Sequence, residues 1–212
     1  MARLKRIKGG FFVTFEGIDG CGKSTQLTLA QDHLAGLGYE VATLREPGST
    51  PTAERIRKLL LDPKARISDV GELLLYEAAR AEVTSAEIAP RLKAGLIVLC
   101  DRFYDSTTAY QGYGRKLDIK MVKQLHRIAV GSIRPDLTLV VDVDLKTAFS
   151  RRGRQLDRLE SQSRDFFQRV RRGFLELARQ EKTRIKVVDG TPPPTVVFEQ
   201  VRKHIERKLN RR

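Results

Sequence analysis

Gly17-Ile18-Asp19-Gly20-Cys21-Gly22-Lys23-Ser24-Thr25, set between the apolar run Phe11–Phe15 and a stretch with helical spacing, fits the pattern of a phosphate-binding P-loop. The backbone N–H groups between the two anchoring glycines turn inward and form a concave nest. Side chains at Gly17 and Gly22 would obstruct the close approach of phosphate. Lys23 is placed to reach the β and γ phosphates, and Ser24 to offer its hydroxyl to Mg²⁺. The first turn of the following helix aims its unpaired N–H groups at the same charge. The stretch predicts binding of a nucleoside triphosphate; the alternative is a glycine-rich turn that caps a helix.

The 212 residues, 41% of them hydrophobic, suffice for one sizeable core, so a single domain over 1–212 is expected. The net charge of +14 favours anionic partners: nucleotides, nucleic acid or a membrane surface. Part of the excess lies in a basic N-terminal tail, residues 1–10, and in Arg211 and Arg212, both read as solvated ends. Cys21 and Cys100 lack metal spacing and suggest no disulfide framework, which fits a reducing cytoplasm. No apolar run approaches membrane-spanning length, and Met1–Gly10 has no apolar signal core, so no membrane partner is expected.

Outward from the P-loop, β-branched runs alternate with helix-spaced stretches. Strands are predicted at Phe11–Phe15, Glu40–Leu44, Leu96–Cys100, Leu137–Val141 and Ile185–Val188. That alternation gives an α/β class: a three-layer P-loop NTPase fold with a five-stranded parallel sheet flanked by helices and a short lid. The first helix should end near Gly36 and Gly38. A long helix over 72–93 carries Leu73, Leu74, Ala78, Val83 and Ile88, with Pro90 ending or kinking it. Another spans about 161–181, its inner face formed by Phe166, Val170, Phe174 and Leu177. The last presents Phe198, Val201, Ile205 and Leu209.

Ligands of such sheets collect at the carboxyl ends of strands, so the loops after Phe15, Leu44 and Cys100 should line the site. Arg45 and Arg102 each follow a strand and suit a bidentate clamp on a second phosphate; the alternative is a pair of surface arginines bound to Glu46 or Asp101. Asp101 stands where an acid holds Mg²⁺ through water. Asp144 is better read as the cap of a helix starting near Leu145.

From Phe12 to about Gly190 the chain resembles the bacterial thymidylate kinases. The resemblance rests on the P-loop with Phe15 and Glu16, Arg45-Glu46-Pro47-Gly48, Leu74-Leu75-Tyr76-Glu77-Ala78-Ala79-Arg80 and Asp101-Arg102-Phe103. Ser106-Thr107-Thr108-Ala109-Tyr110-Gln111-Gly112 and Leu156-Asp157-Arg158-Leu159-Glu160 complete it. It implies ATP with Mg²⁺ as donor, dTMP as acceptor, dTDP as product in dTTP biosynthesis, and a cytoplasmic homodimer. Tyr76 then stacks on thymine, Arg80 contacts a base oxygen, Thr107 bonds the base edge, and Gln111 belongs to the same pocket. Tyr110 packs near the 2′ carbon. Arg45 and Arg102 fall on the acceptor-phosphate positions, Asp19 lies between the phosphates and the metal, and the Glu46–Pro47 bond is cis.

Some members carry a basic residue directly after the P-loop aspartate, where this chain has Gly20. The charge must come from elsewhere, and residues 146–172 hold nine Lys or Arg against three Asp or Glu. Arg151, Arg152, Arg154 and Arg158 cluster where the family's lid lies, about 150–160. Arg151 and Arg154 are the first candidates for the catalytic contact; a solvated basic helix surface is the alternative. The adenine is expected between Arg151 and the loop 191–194. Two other functions stay open: a P-loop kinase for a different small acceptor, and an ATP-dependent nucleic-acid binder suggested by the charge. No nucleic-acid module supports a specific version of the latter.

Overall fold

The structure, a computed structural model, describes residues 4–153 and 156–211. Strands β1 (Phe11–Glu16), β2 (Val41–Arg45), β3 (Ile97–Asp101), β4 (Leu137–Asp142) and β5 (Ile185–Asp189) pair in parallel in the order β2-β3-β1-β4-β5. All five predicted strands are present. Each runs one residue further than its apolar run, ending on Glu16, Arg45, Asp101, Asp142 or Asp189. Backbone pairing needs no apolar side chain, so the ladder continues onto the polar residues that face the site. The connections reverse direction at β1, whose neighbours are β3 and β4, and the P-loop leaves the sheet at that switch point.

Alternation along β1 sends Phe11, Val13 and Phe15 to one face and Phe12, Thr14 and Glu16 to the other. Helices α1 (Lys23–Gly36) and α9 (Pro194–Leu209) cover the first face, where Leu27, Leu34, Val201 and Ile205 pack on the three β1 side chains. The opposite face is covered in two parts. Phe12, Val98 and Cys100 meet Val83, Ile88 and Phe103, and β4 meets Phe166, Val170 and Phe174 of α8 (Arg164–Gln180). The last helix buries Val197 rather than Phe198, which is only partly covered and stands edge-on to His33.

The predicted helix over 72–93 begins earlier and is not uniform. Helix α3 (Asp69–Val83), capped by the Ser68 hydroxyl on Gly71 N–H, passes through a π-helical turn at Thr84–Ile88 into α4 (Ala89–Lys93). Pro90 follows that wider turn, which accommodates a residue lacking an N–H, so the helical path is not broken. Of the apolar residues named for this helix, Leu74 and Ala78 are exposed; Leu73 and Val83, with Ala79, hold the core. Helices α2 (Pro51–Leu61), α5 (Tyr104–Thr107), α6 (Ile119–Val130) and α7 (Leu145–Ser150) complete the flanks. Asp144 caps α7 by accepting Thr147 N–H at 2.9 Å, as its position suggested.

The N-terminal segment departs from its reading as a solvated tail. From Lys5 it is pinned to the residues that precede β2 and β3: Lys5 N–H donates to Gly38 O, Ile7 N–H to Gly95 O, and Arg6 pairs with Glu40. Cys21 and Cys100 are buried free thiols, and none of the described helices is long and apolar enough to cross a membrane.

Candidate active site

Three P-loop glycines have positive φ: Gly17 at 137°, Gly20 at 85° and Gly22 at 98°. Their steric reasons differ. A Cβ on Gly17 would lie 2.5 Å from Val141 O and one on Gly20 2.2 Å from Ala148 O, whereas Gly22 faces open space. Contact with β4 therefore gives Gly17 a steric requirement within the protein itself, whereas Gly22 has none. Lys23 opens α1 with its side chain 8% exposed and Nζ 3.4 Å from Asp19 Oδ1. Ser24 Oγ donates to Asp101 Oδ2 at 2.6 Å, so the two residues expected at the metal are brought together from the first turn of α1 and the end of β3. Among the described residues no group of three or more His, Cys, Asp or Glu could hold a metal on its own.

Asp19 is the electrostatic centre. Arg102 Nη2 donates to Oδ1 at 2.5 Å and the Tyr110 hydroxyl to Oδ2 at 3.0 Å. Burial alone would raise its pKa, but the Arg102 and Lys23 cations outweigh that and hold the carboxyl well below the usual range. Arg102 has φ 71°, the left-handed region uncommon for a residue with a side chain. It is secured by donating to Gly17 O at 3.0 Å and Ser106 Oγ at 2.9 Å. Beneath it the buried Glu16 accepts Phe103 N–H and the Ser106 hydroxyl, and burial pushes its pKa up to about 8. Tyr110 enters from a second π-helical segment, Thr108–Gly114, and its ring packs edge-on against Phe166, Phe167 and Phe174. Close packing on α8 depends on Gly114 and Gly173, where a Cβ would overlap Phe166 and Tyr113.

On one side of Asp19 lies a cleft of about 540 Å³ whose walls include Tyr76, Arg80, Arg102, Thr107, Tyr110 and Gln111. Tyr76 and Arg80 reach it from successive turns of α3. Arg80 is 2% exposed and committed on three sides: Nε donates to Glu46 at 2.8 Å, Nη1 to Glu77 at 2.7 Å and Nη2 to Thr107 Oγ1 at 2.9 Å. Glu46 lies beside the cis peptide to Pro47, and burial pushes its pKa up to about 7 against the pull of Arg80. Gln111 lines the cleft, but its amide donates to Glu72, which also binds Arg115 and Arg158.

Arg45 is not in the cleft wall. Its side chain is 55% exposed and its Nη2 donates to both carboxylate oxygens of Glu54, at 2.9 and 3.0 Å, neither to Glu46 nor to Asp101. Arg57 of α2, which the sequence reading did not single out, lines the cleft instead and donates to Pro47 O.

On the other side of the P-loop a groove of about 730 Å³ runs between Cys21, Gly22, Thr25 and Gln26 and the loop 190–194. Arg151 closes its edge by donating to Gly190 O at 3.0 Å and Thr191 O at 3.2 Å, in the place expected for adenine. Arg152, absent from the two first candidates, reaches the P-loop itself. Its Nε donates to Asp19 O at 3.2 Å while the guanidinium lies 4.1 Å over the Phe167 ring and 4.2 Å over Phe149, with buried Nη2 lacking a hydrogen-bond partner. Arg158 turns inward to Leu60 O and Glu72 and has a structural place. Arg154 lies outside the described residues.

The family model described as thymidylate kinase matches residues 15–201. A thymidylate kinase of Symbiobacterium thermophilum is 45% identical over 203 residues, 95% of each chain. One of Kosmotoga olearia is 46% identical over 192 residues, 90% of this chain and 92% of its own. Among solved structures, thymidylate kinase from Ehrlichia chaffeensis superposes with a TM-score of 0.78 at 37% identity, covering 93% of this chain and 99% of that one. With the P-loop at the sheet's switch point and a cleft on either side of it, this chain belongs to the thymidylate kinase family.

Proposed function

We propose that the chain transfers the γ-phosphoryl group of ATP directly to the phosphate of dTMP, giving dTDP for dTTP biosynthesis. One observation carries this reading: the P-loop separates the two clefts, with Asp19 and Arg102 in the wall of one, Cys21 and Gly22 in the wall of the other, and Lys23 Nζ beside Asp19, so ligands entering from opposite sides bring their phosphates toward the same loop. An acceptor phosphate oxygen is already ionised, so no general base is required. The chain must position two anions in line and neutralise the charge between them.

The donor's phosphates fit the P-loop nest, residues 17–25, with Lys23 on the β and γ oxygens and adenine in the groove beside Arg151. Mg²⁺ carried with ATP would neutralise phosphate charge; Ser24 would hold it directly and Asp101 through water. Thymine fits the opposite cleft, stacked on Tyr76, with Arg80 and Thr107 at its polar edge and Gln111 in the wall. At least three Arg80 donors are committed, which fixes the guanidinium before the base arrives. Arg102 holds the acceptor phosphate. Arg45 fits a second contact by releasing Glu54, a surface pair that costs little to open. Tyr110, locked by Asp19 and Arg102, closes the space where a 2′ hydroxyl would stand.

The cation that Gly20 does not supply comes, in this reading, from a lid over about 150–160, with Arg151, Arg152 and Arg154 as its members. Closure of that lid excludes water that would otherwise take the phosphoryl group. The exposed apolar residues Val70 and Leu74 on α3 and Ile128 on α6 support a homodimer. Two buried free thiols suit the cytoplasm. A coupled ADP-release assay over the common nucleoside monophosphates tests the whole reading: dTMP is expected to be strongly preferred. Equal or better turnover of another acceptor would move the chain to a different specificity. ATP-dependent DNA binding that survives moderate salt, without any acceptor turnover, would favour the nucleic-acid alternative.

A further inference from the structure

Glu77 does not hold Arg80 alone. Its Oε1 accepts both Arg80 Nη1 at 2.7 Å and His126 Nδ1 at 2.8 Å, the second donor arriving from α6, while Oε2 has no hydrogen-bond partner. A carboxylate anchored through one oxygen by a residue on its own helix can pivot. A second donor from another element removes that freedom. His126 is itself fixed on its far side, with Nε2 2.8 Å from Thr108 Oγ1 and its ring stacked on Tyr104 at 5.4 Å. Thr108 adjoins Thr107, whose hydroxyl accepts from Arg80 Nη2. The side chains of Arg80, Glu77, His126 and Thr108, with the peptide to Thr107, therefore close a circuit.

The proton positions follow from the partners. A carboxylate can only accept, so Nδ1 carries the hydrogen. Burial lowers the pKa of His126 and favours the neutral ring, leaving Nε2 to accept from the Thr108 hydroxyl. Each polar atom of the imidazole is matched by a group of the complementary kind.

We infer that His126 is a positioning residue for base recognition: its Nδ1–H locks Glu77, which holds the Arg80 guanidinium in the plane that meets the polar edge of the pyrimidine. The inference rests on the reading of Arg80 as the base contact. His126 is absent from the walls of the base cleft, so its effect reaches the nucleotide only through Glu77 and Arg80.

The test uses three variants of the full-length protein. In His126→Asn the amide nitrogen replaces Nδ1 and keeps the donor to Glu77; in His126→Gln the amide falls at Nε2, toward Thr108; His126→Leu keeps neither. Steady-state kinetics with dTMP and ATP are expected to show a dTMP KM within about twofold of wild type for Asn and raised roughly tenfold for Gln and Leu, with kcat and ATP KM little changed. All three remove the ring and its packing, so a purely structural role would move Asn and Gln together. Should His126→Leu fail to fold, the Asn and Gln pair carries the comparison.

A Gln variant with wild-type dTMP KM, an Asn variant as impaired as Gln, or a fall confined to kcat overturns the inference. Arg80→Lys separates it from the reading beneath it, because it keeps a cation between Glu46 and Glu77 but removes the fork. A raised dTMP KM in Arg80→Lys with no effect of His126→Gln sinks the inference alone. An unchanged dTMP KM in Arg80→Lys sinks the base assignment.

Discussion

Gly20→Ala tests whether α7 fixes the shape of the P-loop. The added Cβ would lie 2.2 Å from Ala148 O, 3.0 Å from its carbonyl carbon and 3.4 Å from its Cα, all backbone atoms of α7. Relief requires the loop or the helix to move by roughly 1 Å to restore ordinary contact. Helix α7 resists, since Asp144 caps it and Phe149 is clamped between Phe167 and Arg152. The alanine must also adopt φ 85°, which costs about 1–2 kcal/mol, and overpacking adds ~1–3 kcal/mol. At ~2–4 °C per kcal/mol for a chain of this size, Tm is expected to fall by roughly 5–15 °C. A ~1 Å misplacement of phosphate-binding groups costs ~10²-fold in kcat. Thermal unfolding and steady-state kinetics read both effects, with Gly22→Ala as comparison: its Cβ meets no protein atom within 4 Å, so only backbone strain should appear in Tm. A Gly20→Ala protein with wild-type Tm and kcat would refute the argument. The same outcome would remove the steric reason why a basic side chain cannot stand directly after Asp19 in this chain.

Lys23→Ala is expected to fold normally and lose at least ~10²-fold in kcat, because Lys23 faces the nest rather than the core; near-normal turnover would falsify the donor-site assignment. Tyr76→Ala is expected to weaken dTMP by ~1–3 kcal/mol with ATP KM unchanged, and an effect on ATP alone would mean that the two clefts have been exchanged. Arg151→Ala and Arg152→Ala are expected to separate, the first raising ATP KM through the loop 190–194 and the second lowering kcat through Asp19; identical kinetic profiles would return the basic run to a solvated surface. Glu16, with its folded pKa raised to about 8, contributes stability that is full below the ordinary carboxyl pKa and lost as pH rises through 8. Glu16→Gln keeps an acceptor for Phe103 N–H and turns its amide nitrogen, as a neutral donor, toward Ser106 Oγ, so Tm measured from pH 5 to 9 should decline less than in wild type, and parallel curves would contradict the assignment.

The P-loop, the five strands and the Asp144 cap are legible because each depends on local pattern: a fixed glycine spacing, an apolar run, a side-chain acceptor three residues before its N–H donor. Helix α2 was equally local, with Thr50 capping it, Pro51 in its first turn and Ala53 and Leu60 buried, yet its short apolar face was passed over and Arg57 with it. The π-helical turn at Thr84–Ile88 leaves no mark in apolar periodicity, so the stretch 72–93 reads as one helix. Arg45 and Arg57 could not be ranked from sequence, since which of them faces the cleft depends on how α2 lies against the cis peptide. His126 gave no signal of its own. A histidine on an amphipathic helix reads as ordinary packing until Glu77 and Thr108, 49 and 18 residues away, are brought to its two nitrogens.

The net charge of +14 favours anionic partners, but two of the three arginines in the wall of the cleft proposed for dTMP are already paired. Arg80 stands between Glu46 and Glu77 and Arg102 against Asp19, while behind the wall Arg115 and Arg158 share Glu72. A buried guanidinium without a partner would be costly, and so would a flexible one that had to be ordered by the substrate. Carboxylates solve both problems at once. They keep each arginine charged and stationary, and because a guanidinium has five donors, pairing leaves some directed at the cleft. The arriving phosphate and base then meet cations whose orientation is already fixed. Charge that develops during transfer can be stabilised without moving the groups that stabilise it, which is where fixed dipoles and ions are worth most. In the proposed reaction the acids around the cleft thus serve catalysis by fixing the cations, even though none of them needs to accept a proton from the nucleophile.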